Sequence, residues 1–121
     1  MVDVIHTIDG ATGTATGEPI NIEDAKRVVL EYKRADHASG KTVFSATVSP
    51  DGTNYIAYNK WITNATNTNA QGETRVASVD TGAANATGFL TMSSEDVFKY
   101  LKATATETTD GTHDVWVHVQ Y

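Results

Sequence analysis

The chain has 121 residues, 40% of them hydrophobic, no cysteine, and a formal net charge of −6 from 15 acidic against 9 basic side chains. This is one domain's length, with enough core to need no disulfide staple, and the acidic balance repels phosphate, which sets nucleic acid aside as a partner. No apolar run approaches the roughly 20 residues of a membrane-spanning helix, and residues 1–6 carry neither a basic leader nor a long apolar segment, so neither a membrane partner nor a signal peptide is expected.

Threonine and alanine dominate, while lysine, glutamate and leucine, the usual helix fillers, are scarce. A β-branched hydroxyl residue suits a half-exposed pleated strand. The bias predicts an all-β domain with a hydroxyl-rich exterior.

In chain order, Val2 and Val4 alternate with Asp3 and Ile5, as in a short first strand or an extended arm. Residues 9–19 hold three glycines among small residues and read as a tether. Ile20 and Ile22 add a few extended positions. Residues 1–25 are therefore expected to form an N-terminal arm and tether, and residues 26–121 the folded domain. Residues 27–34 predict a strand with Val28, Leu30 and Tyr32 on one side.

The stretch 41–61 predicts a hairpin. Phe44, Ala46 and Val48 alternate with Val43, Ser45 and Thr47, and Ser49-Pro50-Asp51-Gly52-Thr53 supplies the turn. Pro50 fixes φ, Asp51 bonds the local backbone, and Gly52 takes a positive φ. The return run carries Tyr55, Tyr58 and Trp61. Residues 63–72 read as a polar loop, 73–81 as one strand whose two valines differ in parity, and 89–92 as a short apolar strand. Residues 93–96 suggest one capped helical turn. Residues 99–107 and 112–121 flank Asp110-Gly111, a strong two-residue hairpin signal. The last run places Val115, Val117 and Val119 on one face and Asp114, Trp116 and His118 on the other. Seven to eight strands punctuated by turns predict a two-sheet antiparallel β-sandwich, jelly-roll-like.

Motifs for catalysis are sparse. Asp36-His37 beside Ser39 offers acid, base and hydroxyl within one loop, but no partner motif accompanies it. His113 and His118 sit five apart on one strand and so face opposite ways. Asp51-Gly52 and Asp110-Gly111 offer oxygens for calcium, yet turn geometry accounts for both. The triplets Asn64-Ala65-Thr66 and Asn85-Ala86-Thr87 match a glycosylation sequon, as chance allows in a threonine-rich chain. No catalytic residue, metal site or cofactor is assigned, and the chain is expected not to be an enzyme. Tyr55, Tyr58, Trp61, Trp116 and Tyr121 suggest ring stacking on sugars, so the alternative reading is a carbohydrate-binding module with a glycan ligand.

The pattern Phe44-x-x-x-Val48-Ser49-x-Asp51-Gly52-Thr53-Asn54-Tyr55 with Tyr58-Asn59-Lys60, together with Arg75-Val76-Ala77-Ser78-Val79 and residues 100–106, resembles small β-sandwich structural proteins of tailed-phage virions, including capsid decoration (cement) and head-fibre-base proteins. The resemblance spans most of residues 26–121 and brings no functional residues with it. It implies a non-enzymatic virion structural protein, assembled in the host cytoplasm as a homo-oligomer, trimeric by expectation. Its partners would be the major capsid protein or another virion protein. The interface candidates are Val2, Val4, Ile5 and Ile8 on the arm, with Trp61, Trp116 and Tyr121. On this reading, deleting residues 1–18 should leave the sandwich folded and abolish shell binding.

Overall fold

The structure, a computed structural model, describes residues 1–63, 75–93 and 96–121. The polar loop at 64–72, with its sequon at Asn64, and Ser94 and Glu95 of the expected helical turn lie outside these residues. The described residues form twelve strands and no helix: β1 (Val2–Ala11), β2 (Ala15–Thr16), β3 (Ile20–Asn21), β4 (Arg27–Ala35), β5 (Thr42–Ser49), β6 (Ile56–Ala57), β7 (Trp61–Thr63), β8 (Arg75–Val76), β9 (Val79–Asp80), β10 (Ala86–Thr91), β11 (Tyr100–Glu107) and β12 (Thr112–Gln120). They make two antiparallel sheets. Sheet A runs β1-β12-β4-β10-β7-β8; sheet B runs β2-β11-β5-β6, with β3 also on β11 and β9 also on β5. The expected two-sheet sandwich is the fold. The strand count exceeds seven or eight because five of the twelve strands are only two residues long.

Alternation builds the core. Val115, Val117 and Val119 of β12 face Leu30 of β4 and Leu90 of β10 on the inner side of sheet A. Phe44, Ala46 and Val48 of β5 and Leu101, Ala103 and Ala105 of β11 do the same for sheet B. The inward parity of β4 continues from Val28 and Leu30 through half-buried Tyr32 to Arg34, a buried cation.

The arm expected at residues 1–25 is instead part of the sandwich. β1 pairs with β12 from Val2↔Gln120 to Ala11↔His113, and Ile8, Ile20 and Ile22 are buried. Val2 and Val4 look outward, but a bulge between His6 and Ile8 resets the register so that Ile8 turns into the core. Deleting residues 1–18 would therefore strip an edge strand from sheet A and β2 from sheet B, and could not leave the fold intact.

Three expected connections change meaning. The turn after β5 is built as predicted: Asp51 Oδ1 accepts from Thr53 N and Asn54 N, Ser49 Oγ accepts from Asp51 N and Gly52 N, and Gly52 takes φ 79°. Its return strand, however, pairs over Ile56–Ala57 only, and by Trp61 the chain has crossed to sheet A. In place of the single strand expected at 73–81, the described residues 75–81 hold two: Arg75–Val76 pairs in sheet A and Val79–Asp80 in sheet B. That crossing explains the parity change between the two valines. Asp110-Gly111 joins β11 of sheet B to β12 of sheet A, so it turns a corner between sheets instead of closing a hairpin. Gly111 has φ 130°, and a Cβ there would meet Arg34 Nε at 2.8 Å.

Candidate interaction surface

Three loops converge at one end of the sandwich around Arg34. Its guanidinium donates from Nη2 to Asp110 O at 2.6 Å and Ser39 O at 2.9 Å. From Nη1 it donates to Gly82 O at 2.8 Å and, at longer range, to Gly40 O, Ala84 O and Thr81 Oγ1. The planar fork thus ties the segments 39–40, 81–84 and 110 to the inner end of β4. His113, equally buried, lies beside it with Nε2 2.8 Å from Thr42 Oγ1 and 3.6 Å from Glu107 Oε1. These buried polar groups hold loops together.

The exposed carboxylates at the turns act likewise. Amide hydrogen bonds from Ala38 and Ser39, with Arg34 adding a smaller electrostatic contribution, hold Asp110 below the ordinary carboxylate range. Amides of Asn54 and Thr53 hold Asp51 far below it, and the Gly82 amide and Lys41 lower Asp80. A carboxyl whose folded pKa is depressed contributes stability that is full above its unfolded value of about 3.9 and is lost as pH falls through the folded value. Thermal melts are therefore expected to be flat from pH 7 to about 4.5 and to fall below about 4. Asp51→Asn, which keeps one acceptor oxygen, should make that acid limb shallower; an unchanged limb would remove Asp51 from its cause.

The residues of the weak catalytic reading do not meet. His37 Nδ1 and its amide both engage Asn85 Oδ1, Asp36 Oδ2 accepts from Thr112 Oγ1, and the Ser39 amide donates to Asp110. His113 and His118 lie on opposite faces of β12, as their spacing predicts, with His118 Nε2 2.8 Å from Glu31 Oε1 on the outside.

The rings are distributed unevenly. Trp61, expected as an interface or sugar-stacking residue, is fully buried because the chain crosses sheets there, and its edge-on contact with Tyr58 lies within the core. Tyr58 is buried too, and its hydroxyl donates to Asp96 Oδ2 at 2.6 Å. Lys102 Nζ sits 4.0 Å over the Tyr55 ring. Trp116 is outward but stacked on His6, with ring centroids 4.6 Å apart. The coplanar platform that sugar binding requires is thus not assembled from these rings.

Of the seven interface candidates, Trp61 and Ile8 belong to the core. Ile5 is half-buried against it. Val2, Val4 and Tyr121 are exposed, and Trp116 is half-exposed. Register puts Val4, His118, Val29 and Thr91 in one row across the outside of sheet A, with His6, Trp116, Glu31 and Phe89 in the next. Phe89 was legible only as part of an apolar run; its parity, opposite to buried Leu90, marks it as an outward ring. At the bulged end of β1, His6 Nε2 lies 2.9 Å from Asp114 Oδ1 and Nδ1 lies 3.8 Å from Asp9 Oδ1. No local pattern points to this trio, because His6 and Asp114 meet across 108 positions. One donor atom from each of the three lies within 4.8 Å of the other two, and the imidazole stands between two carboxylates that hydrogen bonding and charge already engage.

The edges of the sheets differ in the same uneven way. Among the described residues, β2, β3, β6, β8 and β9, which close the other edges, are two residues long, whereas β1 has ten. Short or bulged edges are how sheets avoid pairing with other chains. The second half of β1 is bulged, but from Val2 to His6 its register against β12 is regular and its other side carries no strand.

An antiparallel sandwich with one long free edge defines the class. No protein-family model and no curated protein matches the chain. Among solved structures it is similar to the SPBc2 prophage-derived protein YomS, with a TM-score of 0.70 and 9% identity over 98% of this chain and 92% of that one. Weaker likenesses are to a protein of the Bacillus endospore appendages, TM-score 0.49 and 12% identity over 99% and 86%, and to infectious bursal disease virus Gx strain, TM-score 0.41 and 10% identity over 99% and 32%. The first of these establishes a shared fold.

Proposed function

We propose that the chain is a non-enzymatic virion structural protein of the capsid decoration type, which reinforces a shell by contacts of its body. The observation that carries this reading is the regular free edge of β1 over residues 2–6, an edge strand with no partner on its outer side among the described residues. An open edge takes a partner strand through backbone hydrogen bonds while its alternate side chains add apolar contact. Modest contacts of that kind, repeated over a symmetric lattice, sum to strong attachment. The prophage origin of a protein with the same fold and the resemblance of the central turn to phage virion sandwiches support the same direction. The partner is then a major capsid or other virion protein, and the place of action is the virion.

Co-sedimentation with empty tailed-phage shells made without this protein tests the reading. Wild-type chain should pellet with the shells, and Val4→Lys should remain in the supernatant while keeping the wild-type circular dichroism spectrum, because Val4 is 55% exposed and a lysine blocks edge pairing without entering the core. Pelleting of the variant at the wild-type level would exclude the edge, and failure of the wild type to bind any shell would exclude the virion role.

A further inference from the structure

The outside of sheet A carries a groove of about 210 Å³ lined by Val2, Arg27, Val29, Phe89, His118 and Gln120, and its accessible lining is almost wholly apolar. An apolar cavity of about 150 Å³ is enough to hold benzene, so this one has room for a phenyl ring. At its rim stands Phe89, itself 42% exposed. One face of the molecule therefore presents both a ring that water solvates poorly and a hole of a ring's size.

Charge distinguishes the same face. The outward charged positions of β12, β4 and β10 are Asp114, Arg27, Glu31 and Lys33, two of each sign, so the face is formally neutral on a chain that carries −6. Glu31 is already engaged with His118 at 2.8 Å. Two copies of an acidic body repel one another over most orientations and meet without that cost when these faces oppose. A knob and a hole on a single patch are also self-complementary under a two-fold axis, where residue i meets j and j meets i.

We infer that the outer face of sheet A is an isologous interface between two copies of this chain, each inserting Phe89 into the Val2–Val29–His118 groove of the other. The inference takes from the sequence reading only the expectation that copies of the chain meet, and puts a two-fold pair in place of the expected trimer. Met1 and Tyr121, at the corner beside the groove and joined by a Tyr121 N–Met1 O bond of 3.0 Å, extend the apolar rim.

Sedimentation equilibrium provides the test. Wild type should show a reversible species of twice 13.0 kDa, and Phe89→Asp should weaken self-association by about 30-fold or more, the scale of a hot-spot residue. Ile56→Asp, at a 61% exposed position on the edge of the other sheet, should leave the dimer unchanged. Because the chain has no cysteine of its own, Phe89→Cys mixed with Val29→Cys should give a disulfide-linked heterodimer on mild oxidation, where Phe89→Cys mixed with Ile56→Cys gives none. A wild type that stays at 13.0 kDa through the millimolar range, or a dimer that Phe89→Asp leaves intact, overturns the interface. Shell co-sedimentation reads the virion role separately: a dimer broken by Phe89→Asp with no shell binding would keep this interface and discard that role.

Discussion

Arg34→Met is expected to lower stability by about 3–5 kcal/mol, the range for breaking a buried charged arrangement from one side, and the melting temperature by about 10–20 °C. The side chain of Arg34 is completely buried, and its two terminal nitrogens serve five backbone carbonyls and one hydroxyl. Methionine fills the stem's volume but leaves those carbonyls without their donor, and an unpartnered buried acceptor costs its desolvation outright. Arg34→Lys separates charge from shape. An ammonium restores the cation but cannot reach Asp110 O on one side and Gly82 O on the other, so it should recover only part of the loss. Equilibrium urea unfolding of the three proteins checks both statements. A lysine variant as stable as wild type would show that charge alone holds this end together, and a methionine variant as stable as wild type would show that nothing does.

The second large effect belongs to Trp61. Trp61→Ala is expected to cost about 3–5 kcal/mol, a large share of the 5–15 kcal/mol typical of a whole domain. The indole is fully buried, stands edge-on to Tyr58 with centroids 4.8 Å apart, and Tyr58 in turn meets Phe98 at 6.0 Å. Its removal opens a cavity at the point where the chain crosses from sheet B to sheet A. Trp61→Phe should cost far less than the alanine change. Trp61 Nε1 is buried without a hydrogen-bond partner among the described residues, so phenylalanine loses ring area and at the same time relieves an unsatisfied donor. Denaturant midpoints of the two variants decide the matter. Equal losses would mean that the indole nitrogen, and not the packed ring, is what the site needs.

Both positions show what alternation reveals and what it hides. The inner faces of β5, β11 and β12 follow directly from period-two patterning, as does the opposite placement of His113 and His118. The Ser49–Thr53 turn follows from the conformational demands of Pro50, Asp51 and Gly52. Sheet membership does not follow, because a turn dipeptide specifies a change of direction and not the surface onto which the next strand settles. Asp110-Gly111 has the composition of a hairpin and joins different sheets; Arg75–Asp80 has the length of one strand and is shared between two. Trp61 stands on the far side of such a crossing, so its parity in the preceding strand says nothing about its burial. Arg34 lies one step beyond an apolar alternation, and a cation there reads as surface until the three loops that enclose it are brought together. The free edge of β1 arises from pairing between residues more than a hundred positions apart, and the neutral outer face of sheet A from pairings across about fifty to ninety positions, which no local pattern encodes.

Pairing of β1 with β12 also sets an order of events during synthesis. Among the described residues β1 finds its sheet neighbour in β12 alone, so sheet A cannot be completed until β12 has left the ribosome. Until then Val2, Val4, Ile5 and Ile8 trail as an apolar segment with no docking place, a form that invites aggregation and slows folding through long loop closure. Translational pausing before β12 emerges should therefore prolong chaperone engagement, and pausing after it has emerged should not.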